Sequence, residues 1–206
     1  MKPYYQHGGV TIYHGDCRDV LPRLPAGAVV ITDQPYGTGW VRGGGRRAGE
    51  FKAHHEKPEW DVFDLSWIGL AVAPKRIATF FPVGRESDVG RSLPGWARLR
   101  YRKSNVRPGG ADYEPIAVFP APERGPDEML AYNGDAPFHP CQKPAPIMLW
   151  LVDVLSDPGD TIVDPFMGSG STLRAAKDMR RVCIGVERDE RYCEIAAKRL
   201  AQEVLL

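Results

Sequence analysis

One hydrophobic run in the sequence ends in residues that could bind and orient a planar amine. Residues 29–32, V-V-I-T, lead directly into Asp33, Gln34, Pro35 and Tyr36, and a glycine-rich stretch follows. The Asp33 carboxylate can accept a hydrogen bond from an exocyclic amine, and the Tyr36 ring offers a flat face for stacking a base. The alternative is that Asp-x-Pro forms a simple turn after a strand, and composition does not decide between the two.

A second strand-like run ends in an acid followed by a glycine turn. Residues 162–172, I-V-D-P-F-M-G-S-G-S-T, place Asp164 before Gly168 and Gly170 and a predicted helix. Glycine lets the backbone approach a ligand closely, and a helix N-terminus presents free amides to an anionic group. A triphosphate-binding loop needs Lys after the last glycine, where this chain has Ser171. A nucleoside triphosphate is therefore disfavoured.

A third acid stands at the end of the next predicted strand. Residues 181–187, R-V-C-I-G-V-E, end in Glu187, 17 positions after Gly170. In a Rossmann-like unit an acid at this place bonds the ribose hydroxyls of a ligand. Glu187 and Asp189 could instead cap the following helix. We favour the ligand role for Glu187, because it stands at a strand end, and the capping role for Asp189.

The elements that must position these residues follow from the apolar patterns. Strands are predicted at 10–13, 28–32, 76–81, 115–119, 161–163 and 181–186. Their apolar residues are consecutive rather than alternating, which is typical of parallel strands covered on both faces. Helices are predicted at 145–155, 171–178 and 189–205. This alternation predicts a doubly wound α/β sheet, in which ligands bind at the carboxyl ends of the strands.

Length and composition agree with a globular protein. The chain has 206 residues, and 27 Lys and Arg against 26 Asp and Glu give a formal net charge of +1. That length predicts one domain with a sizeable core. The near-neutral charge excludes a uniformly basic nucleic-acid coat protein, but it says nothing about local basic patches.

The cysteines and the apolar runs predict the compartment. Cys17, Cys141, Cys183 and Cys193 form no C-x-x-C pair and have no histidine at metal-ligand spacing. We expect reduced thiols, no metal and a cytoplasmic protein. The first residues lack the apolar run of a signal peptide, and the longest apolar stretch, 147–152, is too short to cross a bilayer.

Together the motifs resemble those of the β-class DNA amino-methyltransferases, which act on adenine N6 or cytosine N4. D-Q-P-Y at 33–36 is one substitution from the family's D-P-P-Y, and 162–172 resembles its S-adenosylmethionine (SAM) motif. H-P-C-Q-K-P at 139–144 resembles the family's H-P-x-Q-K-P element. H-G-D-C at 14–17 resembles its opening segment, and 183–200 its next strand and helix. The catalytic motif precedes the SAM motif, as in the β class.

The resemblance implies a Rossmann-like, circularly permuted fold with SAM as cofactor, and it assigns residues to SAM. Asp16 and the Cys17 amide would contact the cofactor adenine, and Glu187 the ribose hydroxyls. The other residues assigned to the cofactor are Asp33, His139, Gln142, Lys143, Asp164, Phe166, Gly168, Ser169, Gly170 and Ser171. A prokaryotic or phage-encoded protein is expected.

The resemblance also implies a catalytic pocket made of Asp33, Gln34, Pro35 and Tyr36. Tyr36 would stack on a base flipped out of DNA, while the Asp33 side chain and the residue-34 carbonyl accept the amino hydrogens. Gln34 replaces the family's proline and loses its rigid φ, so we expect retained or reduced activity. An initial Asp favours adenine over cytosine. The alternatives are an RNA or protein-amide methyltransferase, or a catalytically weak protein that binds SAM or DNA.

Two basic segments with interleaved aromatics are candidates for DNA contact. The residues assigned to DNA are Trp40, Arg42, Arg46, Arg47 and Lys52 in loop 37–60, and Arg100, Arg102, Lys103 and Arg107 in segment 91–112. Solvated charged loops are the alternative interpretation.

Domain boundaries follow from the same comparison of motifs. We predict one catalytic domain over 1–206, with a catalytic half at about 10–120 and a cofactor half at about 139–206. The family's target-recognition region would fall at about 121–138, which is too short for a domain. Recognition is therefore expected to depend on the basic segments or on a second subunit in a homodimer.

Overall fold

The computed structural model describes residues 1–37, 61–103, 112–131 and 142–202. The strands are β1 Tyr5–His7, β2 Val10–His14, β3 Val29–Thr32, β4 Arg76–Phe80, β5 Ala97–Lys103, β6 Tyr113–Phe119, β7 Glu128–Ala131, β8 Thr161–Asp164 and β9 Val182–Glu187. The α-helices are α1 Cys17–Val20, α2 Glu86–Ser92, α3 Ala145–Leu155, α4 Ser171–Asp178 and α5 Glu190–Ala201. Short 3-10 helices lie at Leu21–Arg23 and Ser66–Leu70.

The nine strands in the described ranges join one sheet in the order β1-β2-β9-β8-β3-β4-β6-β5-β7. β2, β9, β8, β3 and β4 run parallel, which confirms the predicted doubly wound α/β core. The prediction of a parallel strand at 115–119 is wrong, because β6 pairs antiparallel with both β4 and β5. A run of consecutive apolar residues reports burial on both faces and does not report strand direction.

Three strands, β1, β5 and β7, were not among the predicted elements. β5 has the sequence A-R-L-R-Y-R-K, in which Leu99 and Tyr101 are buried and Arg98, Arg100 and Arg102 are exposed. This alternation has the period of two expected for a strand with one face in the core. Part of the basic segment at 91–112 is therefore ordered sheet.

Helices cover the two faces of the sheet and bury two apolar clusters. Ile147 and Leu151 of α3 and Leu200 of α5 pack on one face. Val89 of α2 and Trp67 of the Ser66–Leu70 turn pack on the other. Seven residues of α3 are buried, on nearly all sides of the helix, as its apolar sequence predicts.

Three of the five described α-helices were predicted from the sequence, whereas α1 and α2 were not. α3 and α4 have the predicted bounds. α5 begins one residue later than predicted, because the Asp189 side chain accepts a hydrogen bond from the Arg191 amide and caps the helix. It ends at Ala201 rather than at 205. None of the described helices is long and apolar enough to span a membrane. Among the described cysteines, Cys17, Cys183 and Cys193 are free and buried.

Candidate active site

Acidic side chains gather along one edge of the sheet. Asp16 follows β2, Glu187 ends β9, Asp164 ends β8 and Asp33 follows β3. β6 runs in the opposite direction, so its second residue, Glu114, reaches the same edge. Motifs far apart in the sequence therefore meet at the carboxyl ends of the parallel strands, where open α/β sheets bind their ligands.

The aspartate of the D-Q-P-Y motif lies in a group of four charged residues, Asp33, Lys103, Glu114 and Lys143, which we name the charge cluster. Lys143 Nζ lies 2.7 Å from Asp33 Oδ2 and 3.0 Å from Glu114 Oε2. Lys103 Nζ lies 2.8 Å from Glu114 Oε1. The Tyr36 hydroxyl donates a hydrogen bond of 3.2 Å to Glu114 Oε2. The cluster pairs two carboxylates with two ammonium groups beside the tyrosine of the motif.

Burial and neighbouring charges fix the protonation of this cluster. Burial would raise the pKa of Glu114, but Lys143 and Lys103 lower it to about 2. Burial would lower the pKa of Lys143, but Asp33 and Glu114 raise it above its usual range. Burial raises the pKa of Tyr36 well above its usual value, and both carboxylates add to the shift. At neutral pH Glu114 is therefore an anion, Lys143 a cation and Tyr36 a phenol.

The two oxygens of Asp33 have different environments. Oδ2 faces the Lys143 ammonium, whereas Oδ1 is buried and has no hydrogen-bond partner among the described residues. Lys143 Nζ lies 5.2 Å from the centroid of the Tyr36 ring and 4.9 Å from that of Phe80. A buried acceptor without a donor is costly, so Oδ1 is suited to receive a donor from a ligand. Because Lys143 binds Oδ2, Oδ1 is the oxygen of Asp33 that remains to accept a hydrogen bond from a ligand.

The glutamine that replaces the family's proline has a partner of its own. The Gln34 side chain is 2% exposed, and its Oε1 accepts a 2.6 Å hydrogen bond from Trp67 Nε1. The Trp67 ring packs edge-on against Phe166, with 5.8 Å between ring centroids. Only the backbone carbonyl of Gln34 figured in the sequence analysis. Through Trp67 and Phe166, the Gln34 side chain connects the D-Q-P-Y motif to the loop that follows β8.

Asp164 joins the ends of two adjacent strands. It is 2% exposed, and its Oδ1 accepts hydrogen bonds from the Thr32 hydroxyl at 2.6 Å and the Phe166 amide at 3.1 Å. Burial raises the pKa of Asp164 to about 6, although hydrogen bonds from Thr172 and Thr32 oppose the shift. Asp164 thus holds the start of the glycine turn against the residue that precedes Asp33.

Both oxygens of Glu187 accept backbone hydrogen bonds. Oε2 accepts from the Gly168 amide at 3.0 Å, and Oε1 accepts from the Asp189 amide at 2.8 Å. Burial raises the pKa of Glu187, while these amides lower it. The contact with Asp189 is the helix-start role that the sequence analysis ranked second. A contact between Glu187 and a ribose stays a prediction.

The glycine turn packs closely on α5. Gly170 has a φ of +80°, and a Cβ placed there would lie 3.1 Å from the Ala196 Cβ. Glycine is therefore required at 170 by the turn and by helix packing, beyond the ligand approach expected from the sequence. The Ser169 carbonyl and hydroxyl accept hydrogen bonds from the Arg199 guanidinium of α5. The Ser171 hydroxyl is buried without a hydrogen-bond partner in the described part of the chain.

Asp16 caps a helix at the far end of the same edge. Its Oδ1 accepts a 2.9 Å hydrogen bond from the Arg18 amide, and the Arg18 guanidinium lies 2.6 Å from Oδ2. The hydrogen bonds from Arg18 lower the pKa of Asp16 to about 2. Cys17 is 6% exposed. The assignment of Asp16 and Cys17 to a cofactor adenine stays a prediction.

Similarity to known proteins was found at the levels of family and fold. The sequence model of the N6/N4 DNA methylase family matches residues 97–198. The type II methyltransferase M.HinfI of Haemophilus influenzae is 39% identical over 64 residues, which cover 31% of this chain and 18% of that protein. M.HindIII of the same species is 41% identical over 69 residues, covering 34% and 22%. Residues 97–198 therefore carry the sequence pattern of the DNA amino-methyltransferase family. Each match covers about a fifth of the relative's length.

Solved structures of DNA methyltransferases share the fold of this chain. The M1.HpyAVI–SAM complex has a TM-score of 0.68 at 23% identity, covering 94% of this chain and 100% of that one. The cytosine-N4-specific PvuII DNA methyltransferase has a TM-score of 0.70 at 16% identity, covering 100% and 91%. The Rossmann-like fold expected from the motif resemblance is therefore confirmed.

The residues assigned to DNA divide between the two faces of β5. Arg100 and Arg102 are exposed, and the Arg100 guanidinium lies 5.9 Å from the Tyr113 ring centroid. Lys103 points to the opposite face, where it is paired with Glu114, and its side chain is 19% exposed. The alternation of side chains along a strand turns Lys103 into the charge cluster, and its assignment to DNA stays a prediction.

Some of the remaining predicted site residues lie in the described part of the chain and others lie outside it. The loop at 37–60 lies outside the described residues except for Gly37. The predicted residues outside the described ranges are Trp40, Arg42, Arg46, Arg47, Lys52, Arg107 and His139. Gln142 is described, and its Oε1 is buried without a hydrogen-bond partner in the described ranges. The sequence analysis missed Glu114. Its only sequence signal is an acid next to an apolar run, which is common on surfaces.

Proposed function

We propose that this chain transfers a methyl group from SAM to the exocyclic amino group of a DNA base, with adenine N6 favoured over cytosine N4. The observation that supports the proposal is that Asp33 Oδ1 is buried and has no hydrogen-bond partner among the described residues. An amino group that donates to this oxygen would be held at the sheet edge next to the glycine turn. The acidic first residue of D-Q-P-Y is what favours adenine.

The residues around the glycine turn suit SAM. When bound, SAM supplies an electrophilic methyl group on a cationic sulfur. Ser171 Oγ and Gln142 Oε1 are buried without hydrogen-bond partners in the described ranges, so polar groups of a ligand would satisfy them. Asp164 and Glu187 bring negative charge to the same edge. We propose that these four residues, with the backbone from Gly168, hold the cofactor.

The catalytic motif would act by position and electrostatics. Asp33 Oδ1 and the Gln34 carbonyl would accept the two amino hydrogens, which increases electron density on the nitrogen and directs its lone pair to the methyl group. Tyr36 would stack on the base, which must leave the duplex to reach a buried carboxylate. SAM would supply the methyl group to the nitrogen held by Asp33 Oδ1 and the Gln34 carbonyl, its sulfur would be left as a neutral thioether, and the proton lost by the nitrogen would pass to water.

The strand that carries the exposed arginines ends at this site. Arg100 and Arg102 face solvent, while Lys103, the last residue of β5, contacts the charge cluster. We propose that these two arginines contact DNA phosphates beside the flipped base, together with residues 37–60.

A second copy of the chain would supply further recognition surface. Residues 121–138 are too few for a recognition domain. We therefore propose a homodimer, for which light scattering coupled to size-exclusion chromatography is the test. A monomer at assay concentrations would overturn the dimer without affecting the methyl-transfer proposal.

Labelled SAM incubated with unmethylated duplex DNA, RNA and protein tests the activity. We expect label in DNA, recovered as N6-methyladenine, and its loss in Asp33→Ala. Asp153→Ala is the matched control, because Asp153 is an exposed residue of α3. Label in RNA or protein but not in DNA would overturn the proposal. Recovery of N4-methylcytosine would overturn its adenine preference alone.

A further inference from the structure

Glu114 connects the two functional groups of the D-Q-P-Y motif although it lies outside every motif. Its Oε2 accepts from the Tyr36 hydroxyl at 3.2 Å and lies 3.0 Å from Lys143 Nζ. The same Lys143 ammonium lies 2.7 Å from Asp33 Oδ2. Glu114 therefore contacts the stacking ring directly and reaches the acceptor carboxylate through one lysine.

Neighbouring strands hold Glu114 in place. It stands opposite Tyr101 in the antiparallel pair of β5 and β6, and Lys103 is two residues further along the same face of β5. Lys103 Nζ lies 2.8 Å from Glu114 Oε1, so both carboxylate oxygens are engaged. The side chain is 19% exposed. A carboxylate with both oxygens bound and its backbone in a central strand pair has little freedom to move.

We propose that Glu114 is a positioning residue of the methyl-transfer site. It fixes the Tyr36 ring through the hydroxyl group and shares the Lys143 ammonium, which leaves Asp33 Oδ1 free for the target amine. This inference rests on the proposed function, because it concerns how Asp33 and Tyr36 receive a base. It assigns no contact between Glu114 and the substrate.

The charges explain why a carboxylate is needed at 114. Lys143 divides its hydrogen bonds between Asp33 and Glu114. With a neutral residue at 114, the ammonium would pair with Asp33 alone and weaken Asp33 as an acceptor. The charged and titratable groups that act on Asp33 are Glu114, Lys143 and Tyr36, with Asp164 on the neighbouring strand. Burial raises the pKa of Asp33, the positive charge of Lys143 lowers it, and the negative charge of Glu114 raises it.

Glu114→Gln keeps the shape of the side chain and removes its charge. We expect kcat to fall roughly 10- to 100-fold, as for other small misplacements of reacting groups, with KM for SAM within about threefold of wild type. The acidic limb of the kcat–pH profile should move to lower pH, because loss of a neighbouring negative charge lowers the pKa of Asp33. Glu194→Gln is the matched control, since Glu194 is exposed on α5 and pairs only with Lys198 of the same helix among the described residues.

Tyr36→Phe removes the hydroxyl and keeps the ring, so it completes a double-mutant cycle with Glu114→Gln. We expect the double variant to lose no more than about threefold beyond the worse single variant, because both changes break one contact. Independent, multiplicative losses would overturn the coupling. An unchanged kcat in Glu114→Gln, or a fall in kcat without any shift of the acidic limb, would overturn the positioning role.

An activity-independent measurement separates this inference from the proposed function. The Asp33 carboxyl carbon can be titrated by NMR in wild-type protein and in Glu114→Gln, with circular dichroism to confirm folding. A lower Asp33 pKa in the variant supports the inference, and an unchanged pKa overturns it. A wild-type chain that methylates no substrate overturns the proposed function, while the titration still decides whether Glu114 controls Asp33.

Discussion

Restoring the family's proline should destabilise this chain, because Gln34 is bonded to Trp67. Gln34→Pro removes the acceptor of a buried 2.6 Å hydrogen bond and leaves the Trp67 Nε1 proton without it. Trp67→Phe removes the donor and leaves Gln34 Oε1 buried instead. The double variant Gln34→Pro with Trp67→Phe contains neither polar group, so the pair can be tested as a thermodynamic cycle.

The magnitudes follow from burial of both partners. An unsatisfied buried polar group costs about 1–3 kcal/mol of unfolding free energy. Proline at a compatible site returns about 0.4–1 kcal/mol by restricting the unfolded chain. Removal of Gln34 Nε2, which is buried without a partner in the described ranges, offsets a further part. We expect Gln34→Pro to lose about 1 kcal/mol, and a coupling energy of about 1–3 kcal/mol in the cycle.

Urea unfolding followed by circular dichroism gives the free energy of unfolding of wild type, of Gln34→Pro, of Trp67→Phe and of the double variant. Trp96→Phe combined with Gln34→Pro is the control pair, because Trp96 packs edge-on against Phe81, 5.5 Å away, and the two changes should add. Additivity within about 0.5 kcal/mol for Trp67→Phe and Gln34→Pro would refute the role of this hydrogen bond.

Three further predictions concern stability and DNA binding. The Asp164 carboxyl has a pKa of about 6 when folded and about 3.9 when unfolded, so the folded state binds more protons between these values. The contribution of Asp164 to the free energy of unfolding should be greatest below about pH 4 and should be lost as the pH rises through 6. Asp164→Asn should remove this contribution from the pH dependence of urea unfolding. The same pH dependence in wild type and variant would contradict the prediction. Gly185→Ala should destabilise by about 1–3 kcal/mol in thermal or urea unfolding, because its Cβ would overlap Met167 Sδ. Wild-type stability in that variant would refute the packing argument. Arg100→Gln with Arg102→Gln should weaken DNA binding and reduce the slope of log affinity against log salt by up to about 2, measured by fluorescence anisotropy, without changing SAM affinity. An unchanged slope would remove this face from the DNA interface.

The parts of the fold that the sequence predicted are those with a local signature. Six strands and the helices α3 and α4 follow from runs or periods of apolar residues, which report burial within one element. β5 was missed because its alternating arginines resemble a solvated charged segment until Leu99 and Tyr101 are seen to be buried. The direction of β6 depends on its neighbours in the sheet, about which its own residues carry no information.

The candidate site divides in the same way. The sequence by itself determined that acids stand at the ends of buried strands, that a glycine turn precedes a helix and that D-Q-P-Y departs from D-P-P-Y at Gln34. The tertiary structure decided which charges meet: Lys143 joins Asp33 across 110 residues, and Glu114 joins them from an antiparallel strand. The physical reason is that strand ends are fixed by local burial, whereas a contact between strands depends on sheet order and direction.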